Sequence, residues 1–346
     1  MLDKLSKKEN TKNQNFKEKN EKLIQKFIDF IAIQNDSDNT IVAYRCDLKQ
    51  FCKTNNDENI LEDIDKKVEN YFDKIHFVKR KFAYSSLARK ITTLRSFYRF
   101  LHQEKIIDEM PMKNIKSPKL KTPEPKMLLQ SEIEQILFKC LENFNSKNEE
   151  SCNSRKSLDW LLLHSMIEFL YSTGCRISEA LSVKIGMIFN NRDKIHNEII
   201  ICGKGRKERL IFLNHSCQKA LTNYLFTKFQ TNNIKNIRDM SGFLFSEDIL
   251  LKKPISRHKI YYLLRNVAIQ CGIDRFRISP HVLRHSVAIH MLMSKNNSDS
   301  TNNIMTIKKF LGHESINTTK VYLGYDNIND LTKTINTKHP LSFLKP

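Results

Sequence analysis

The stretch 197–213, NEIIICGKGRKERLIFL, decides how the rest of the chain is read. Two apolar runs rich in β-branched residues flank a turn holding Gly203 and Gly205, which predicts a β-hairpin with cations at its tip. Outside the hairpin the apolar residues step at helical spacing. All eight glycines (174, 186, 203, 205, 242, 272, 312 and 324) lie in the second half of the sequence. The first 173 residues therefore lack the residue that adopts positive φ most readily, and that half reads as helical.

Upstream, Leu23, Phe27 and Ile31 form one stripe, and Ile41, Tyr44, Leu48 and Phe51 a second. A third helix is expected over 64–75, and the longest over 86–107, where Leu87, Ile91, Leu94, Tyr98 and Leu101 step by three and four. Four prolines, Pro111, Pro118, Pro123 and Pro125, fall close together among Lys113, Lys116, Lys119 and Lys121. Proline there is hostile to helix, so the stretch predicts a basic linker over 113–127. The organisation expected is a flexible arm at 1–20, a four-helix module at 21–112, the linker, and a second domain at 128–346. In the latter, helices are expected near 128–140, 158–172 (ending at Gly174), 216–229, 256–270, 281–294, 304–311 and 315–323. Polar insertions are read at 144–157 and 294–303. The fold class is thus mainly α with a small β-hairpin or sheet, in two domains.

Charge narrows the function. The 346 residues carry 58 Lys and Arg against 38 Asp and Glu, a formal net charge of +20. A strongly basic chain suits nucleic acid, whose phosphates release counterions on contact; a merely lysine-rich composition is the alternative. No apolar run approaches the roughly 18–20 residues that cross a bilayer, and the charged N-terminus has no apolar core of a secretion signal. A cytoplasmic protein without membrane contact is expected. Eight scattered cysteines without a C-x-x-C read as reduced thiols, with no disulfide frame or zinc site.

Three polar segments stand out. In 172–181, STGCRISEAL, Arg176 and Glu179 lie three residues apart, so the carboxylate sits beside the guanidinium. That is either a surface ion pair or an arginine fork held at a fixed angle for a phosphate. The hairpin tip, GKGRKER at 203–209, lacks the spacing of a nucleotide-binding loop and better fits a basic hairpin entering a DNA groove. HVLRHS at 281–286 places His281 and His285 at i and i+4. The glutamate of a metalloprotease helix is missing and no third ligand is evident, so no metal is expected.

Order and spacing together are more specific. TGCRISEAL, GKGRKERL, HVLRHS and LGHESINTTKVY resemble the active-site boxes of the tyrosine recombinase (phage integrase) family. SDNTIVAYRCDLKQF and SSLARKITTLRSFYRFL resemble its helical core-binding domain. The resemblance covers about residues 23–330 and looks most like the Xer branch. It implies a two-domain C-shaped clamp on double-stranded DNA carrying a specific recombination site, with no cofactor. It also implies a homotetramer in the synaptic complex, with the tail from about residue 325 docked on a neighbouring protomer. Catalytic residues by resemblance are Arg176, Lys204, His281, Arg284, His313 and Tyr322, with Glu179 in support. Arg89, Lys90, Arg95, Arg99, Arg206 and Lys207 are candidate DNA contacts.

These residue types suit phosphodiester exchange. Cleavage builds negative charge on phosphate oxygens, which Arg176 and Arg284 can meet with paired N–H bonds that a lysine cannot offer. Tyr322 starts from a phenol pKa near ~10, and surrounding cations favour its phenolate. By resemblance, Tyr322 attacks to form a 3′-phosphotyrosyl link, Lys204 protonates the leaving 5′-oxygen, His281 takes the tyrosine proton, and His313 donates to the phosphate. The expected role is Xer-like chromosome dimer resolution in the nucleoid, under a possible DNA translocase or accessory factor. Alternatives are an integrase or transposase of a mobile element, a type IB topoisomerase, and a non-catalytic DNA-binding protein.

Overall fold

The computed structural model describes residues 2–34, 38–78, 84–113, 115, 126–146, 155–189, 194–203, 208–231, 233–238, 240–248, 250–293, 307 and 309–312. The chain divides into two compact units, Met1–Pro123 and Glu124–Pro346. The described residues are mainly helical, with one two-stranded antiparallel sheet among them.

Among its described residues the first unit holds four helices: α1 (Leu2–Ile33), α2 (Asp38–Thr54), α3 (Ile64–Val78) and α4 (Tyr84–Gln103). The sequence stripes converge here. Phe27, Leu48, Phe51, Val68, Tyr71, Leu94, Phe97 and Tyr98 are buried together. Edge-to-face ring pairs, Phe51 with Tyr71 at 5.2 Å and Phe27 with Phe97 at 5.4 Å, add directional contacts to the apolar burial.

Two expectations need correction. The arm at 1–20 is helical from Leu2 and continuous with the first stripe, so α1, not α4, is the longest helix. Its Asn20 is buried and donates to the carbonyl of Glu58 at 2.7 Å, which ties the end of the expected arm to the turn after α2. Polar residues hid this helix from the periodicity, although Lys, Glu and Gln are good helix formers and neither Gly nor Pro interrupts them.

The second unit is built round α6 (Arg155–Thr173). Leu161–Leu163, Met166, Ile167 and Phe169–Tyr171 are all buried, and so are the polar His164, Ser165 and Glu168 between them, so this helix is enclosed on every face, as a central rod must be. Against it pack α5 (Gln130–Asn145), α7 (Ile177–Ser182), α8 (His215–Phe229), α10 (Arg257–Gln270) and α11 (Pro280–Met293). A short α9 (Ile234–Arg238), not foreseen in the sequence, lies between α8 and α10 in chain order. Local signals fix the starts. Asn214 accepts from the Cys217 N–H at 2.9 Å at the head of α8, and Ser256 from Lys259 at 3.2 Å at the head of α10. At α11, Pro280 occupies the first turn while Ser279 Oγ accepts from Val282 N–H at 3.2 Å.

The hairpin forms as β1 (Glu198–Cys202) and β2 (Glu208–Phe212), with Ile201 opposite Arg209. Ile199, Ile201 and Ile211 face the core, while Ile200, Leu210 and Phe212 are exposed. Among the described residues no helix is long and apolar enough to cross a membrane.

Candidate active site

The site grows from the end of α6. Gly174 follows the helix with φ +57°, donates its N–H to Leu170 at 2.9 Å, and turns the chain so that Arg176 caps α7. Any Cβ at Gly174 would come within 2.6 Å of the Phe310 ring, so this position needs glycine for both conformation and space.

Glu179, three residues on, reaches back to its own helix start. Its Oε2 accepts the Arg176 backbone N–H at 2.8 Å and its Oε1 the Arg176 Nη1 at 3.0 Å. The carboxylate is only 4% exposed, which rules out the simple surface ion pair. A buried carboxylate needs compensation, and a second arginine supplies it. Arg209, on the inward face of β2, donates Nη2 to Oε2 at 2.7 Å and Nη1 to Oε1 at 3.4 Å.

Arg284 comes from the first turns of α11 and is buried. One arm of its fork donates to the carbonyl of Gly174, the other to the carbonyl of Leu311 at 2.6 Å. Two of its five N–H groups are engaged in these two bonds among the described residues. Burial, then Arg176 and Arg209, pull its pKa down to about 10. It remains a cation at neutral pH.

His281 sits one helical turn before Arg284. Desolvation, then the fields of Arg284 and Arg176, lower its pKa below the usual imidazole value. It is therefore mainly neutral near pH 7 and able to accept a proton. The His285 ring packs edge-to-face on it at 4.9 Å and is itself pushed down to about 4, chiefly by burial. His290, one turn further, shares a 2.6 Å hydrogen bond with the buried Tyr171 hydroxyl.

The structure thus brings together four of the expected residues, Arg176, Glu179, His281 and Arg284. Lys204, Arg206, Lys207, His313 and Tyr322 lie outside the described residues, as do the helix expected over 315–323 and the tail from 325. The chain leads up to His313 through a helical turn ending at Leu311 and Gly312. Arg209 was missed. The available signal was its period-two alignment with Ile211, which puts a cation on the core face of a strand.

The surface candidates on α4 divide. Lys90 is buried and bonds Asp47 at 2.8 Å and Gln50 at 2.6 Å, so it is withdrawn as a DNA contact. Its neighbour Arg89 also pairs with Asp47, and Arg95 donates to the Ile115 carbonyl. Arg99 is exposed.

Residues 126–327 match the model of the phage integrase family, and residues 24–105 that of the phage integrase N-terminal SAM-like domain. A tyrosine recombinase of Pseudothermotoga lettingae is 32% identical, the match covering 86% of this chain and 91% of that one. Tyrosine recombinase XerD of Rickettsia conorii is 29% identical over 92% of this chain and 98% of its own length. Among solved structures, the XerH site-specific recombinase bound to its palindromic difH substrate aligns with TM-score 0.54 at 17% identity. That alignment covers 92% of this chain and 94% of the other, a likeness of fold.

Proposed function

The chain belongs to the phage integrase family, and on that footing we propose that it is a site-specific tyrosine recombinase, cutting and rejoining DNA in the manner of the Xer enzymes. The observation that carries the reading is the gathering of Arg176 and Arg284 beside a neutral His281, with Glu179 as the nearby carboxylate.

Double-stranded DNA lies with its scissile phosphate against the two guanidinium groups. The Tyr322 oxygen bonds to phosphorus while the bond from phosphorus to the 5′-oxygen breaks. His281 takes the phenolic proton and Lys204 protonates the departing oxygen. Arg176, Arg284 and His313 meet the charge that develops on the non-bridging oxygens. The 3′-phosphotyrosyl link keeps the bond energy, so a 5′-hydroxyl from another strand reverses the step without ATP. No cofactor is called for.

Residues 21–112 serve as a core-binding module, 113–127 as linker and 128–346 as the catalytic domain, whose tail from about 325 docks on a neighbour within a tetramer. Arg99, Arg206 and Lys207 remain candidate phosphate contacts. The near full-length match to XerD supports chromosome dimer resolution in the cytoplasm, on nucleoid DNA, as the role. A translocase or accessory factor would control it.

Trapping on a nicked suicide duplex tests the chemistry. The wild-type protein should become covalently attached to its cognate duplex, and Tyr322→Phe should not. A wild-type protein that never forms the adduct on its own site overturns the reading.

A further inference from the structure

We propose that Arg209 is a positioning residue for strand cleavage: its grip on Glu179 sets the angle at which Arg176 meets the scissile phosphate. The inference rests on the recombinase reading above and adds a residue to it.

Glu179 alone could not do this work. Apart from Arg209, its carboxylate is held among the described residues by two groups of Arg176, the very residue it has to orient. The backbone N–H pins one oxygen, but the carboxylate plane and the guanidinium bonded to the other oxygen can still pivot together about that point. Arg209 reaches the same two oxygens from a different element, at 2.7 and 3.4 Å, and fixes the carboxylate plane with a fork that lysine lacks.

Arg209 is itself confined. Its backbone is set by the register with Ile201, and its side chain is 15% exposed. On its other side lies Gly312 (φ +65°), where a Cβ would overlap the guanidinium. Arg209 therefore wedges between the carboxylate that holds Arg176 and the turn immediately before His313. Both Nη atoms are committed to Glu179, and Nε is buried with no partner among the described residues. Each Nη thus turns an N–H onto Glu179 from the far side of Arg176, and Arg209 acts through that carboxylate.

The test uses the full-length protein and two suicide duplexes, one with a normal scissile phosphodiester and one with a methylphosphonate there. The methyl group removes the negative charge that Arg176 would neutralise, so the need for a correctly aimed Arg176 falls. Arg209→Lys should bind the normal duplex as wild type does but cleave it roughly 100-fold more slowly, the size of effect expected from misplacing a catalytic group by about 1 Å. On the methylphosphonate its rate should converge on that of wild type, as should that of Arg176→Ala. Arg209→Ala should behave the same way if it melts cooperatively; if it does not fold, Arg209→Lys carries the test. An equal deficit on both duplexes, or a wild-type rate on the diester, overturns the proposal. Absence of the adduct from wild-type protein overturns the recombinase reading, and this inference with it.

Discussion

Arg284 donates to the carbonyl oxygen of Leu311 at 2.6 Å and so ties α11 to the turn that precedes His313. The other arm of the same fork holds the carbonyl of Gly174, at the end of α6. One guanidinium thus joins three segments that each lead to a proposed catalytic group.

Arg284→Lys should fail twice. A lysine cannot bridge two carbonyls and also present a fork, so cleavage should fall roughly 10²–10³-fold, the loss seen when one preorganised donor is removed. Leaving a buried carbonyl unpaired should also lower stability by about 1–3 kcal/mol. Single-turnover cleavage and denaturant melts read the two losses separately.

Acidity should act on His281. Because its pKa is held below 6.5, the proposed base stays free through neutral pH, and cleavage should decline only as pH drops below that value. The same sign applies to stability: an imidazole that folds neutral favours the native state above the unfolded value and stops doing so as pH falls. A pH–rate profile of adduct formation, with an acid limb lying above pH 7, would contradict the assignment.

Salt dependence should separate the cations of α4. Arg99→Ala should reduce the slope of log affinity against log salt by about 1, the signature of one lost phosphate contact. Lys90→Met should leave that slope unchanged, because Lys90 is enclosed with Asp47 and Gln50. Fluorescence anisotropy across a salt series decides between them.

Glu168 offers a test of the core away from the site. It is buried on α6, accepts from Ser216 at 2.8 Å on one oxygen, and has its other oxygen unpaired among the described residues. Burial pushes its pKa up to about 7, so the folded state prefers the proton. The sign follows: below pH 4.5 the group is neutral in both states, the penalty on folding grows as pH rises from there to about 7, and above that it stays constant. Glu168→Gln should therefore stabilise the protein by about 2–3 kcal/mol at pH 8 and by much less at pH 5. Equal effects at the two pH values would refute this.

Local chemistry was legible where partners are near in sequence. Arg176 and Glu179 are three residues apart, and their bond could be read from helical geometry. The apolar stripes of α1, α2 and α4 were equally plain, because each repeats within its own helix. What stayed hidden depended on distant partners. Lys90 reads as a surface cation until Asp47, 43 residues earlier, is placed against it. Arg209 reads as one more charge of a basic tip until Glu179, 30 residues away, closes on its fork. The polar start of α1 carries no apolar rhythm, and its anchor Asn20 depends on a turn 38 residues on.

The placement of Arg176 just beyond the most enclosed rod of the second unit has a consequence for heat. Helix ends usually fray first, but this one is pinned by Gly174 against Phe310 and by the Arg284 fork. Warming should not strip this corner of its order while the interior stands. Loss of the cutting reaction and collapse of the interior should share a single midpoint, with no idle yet folded intermediate between them.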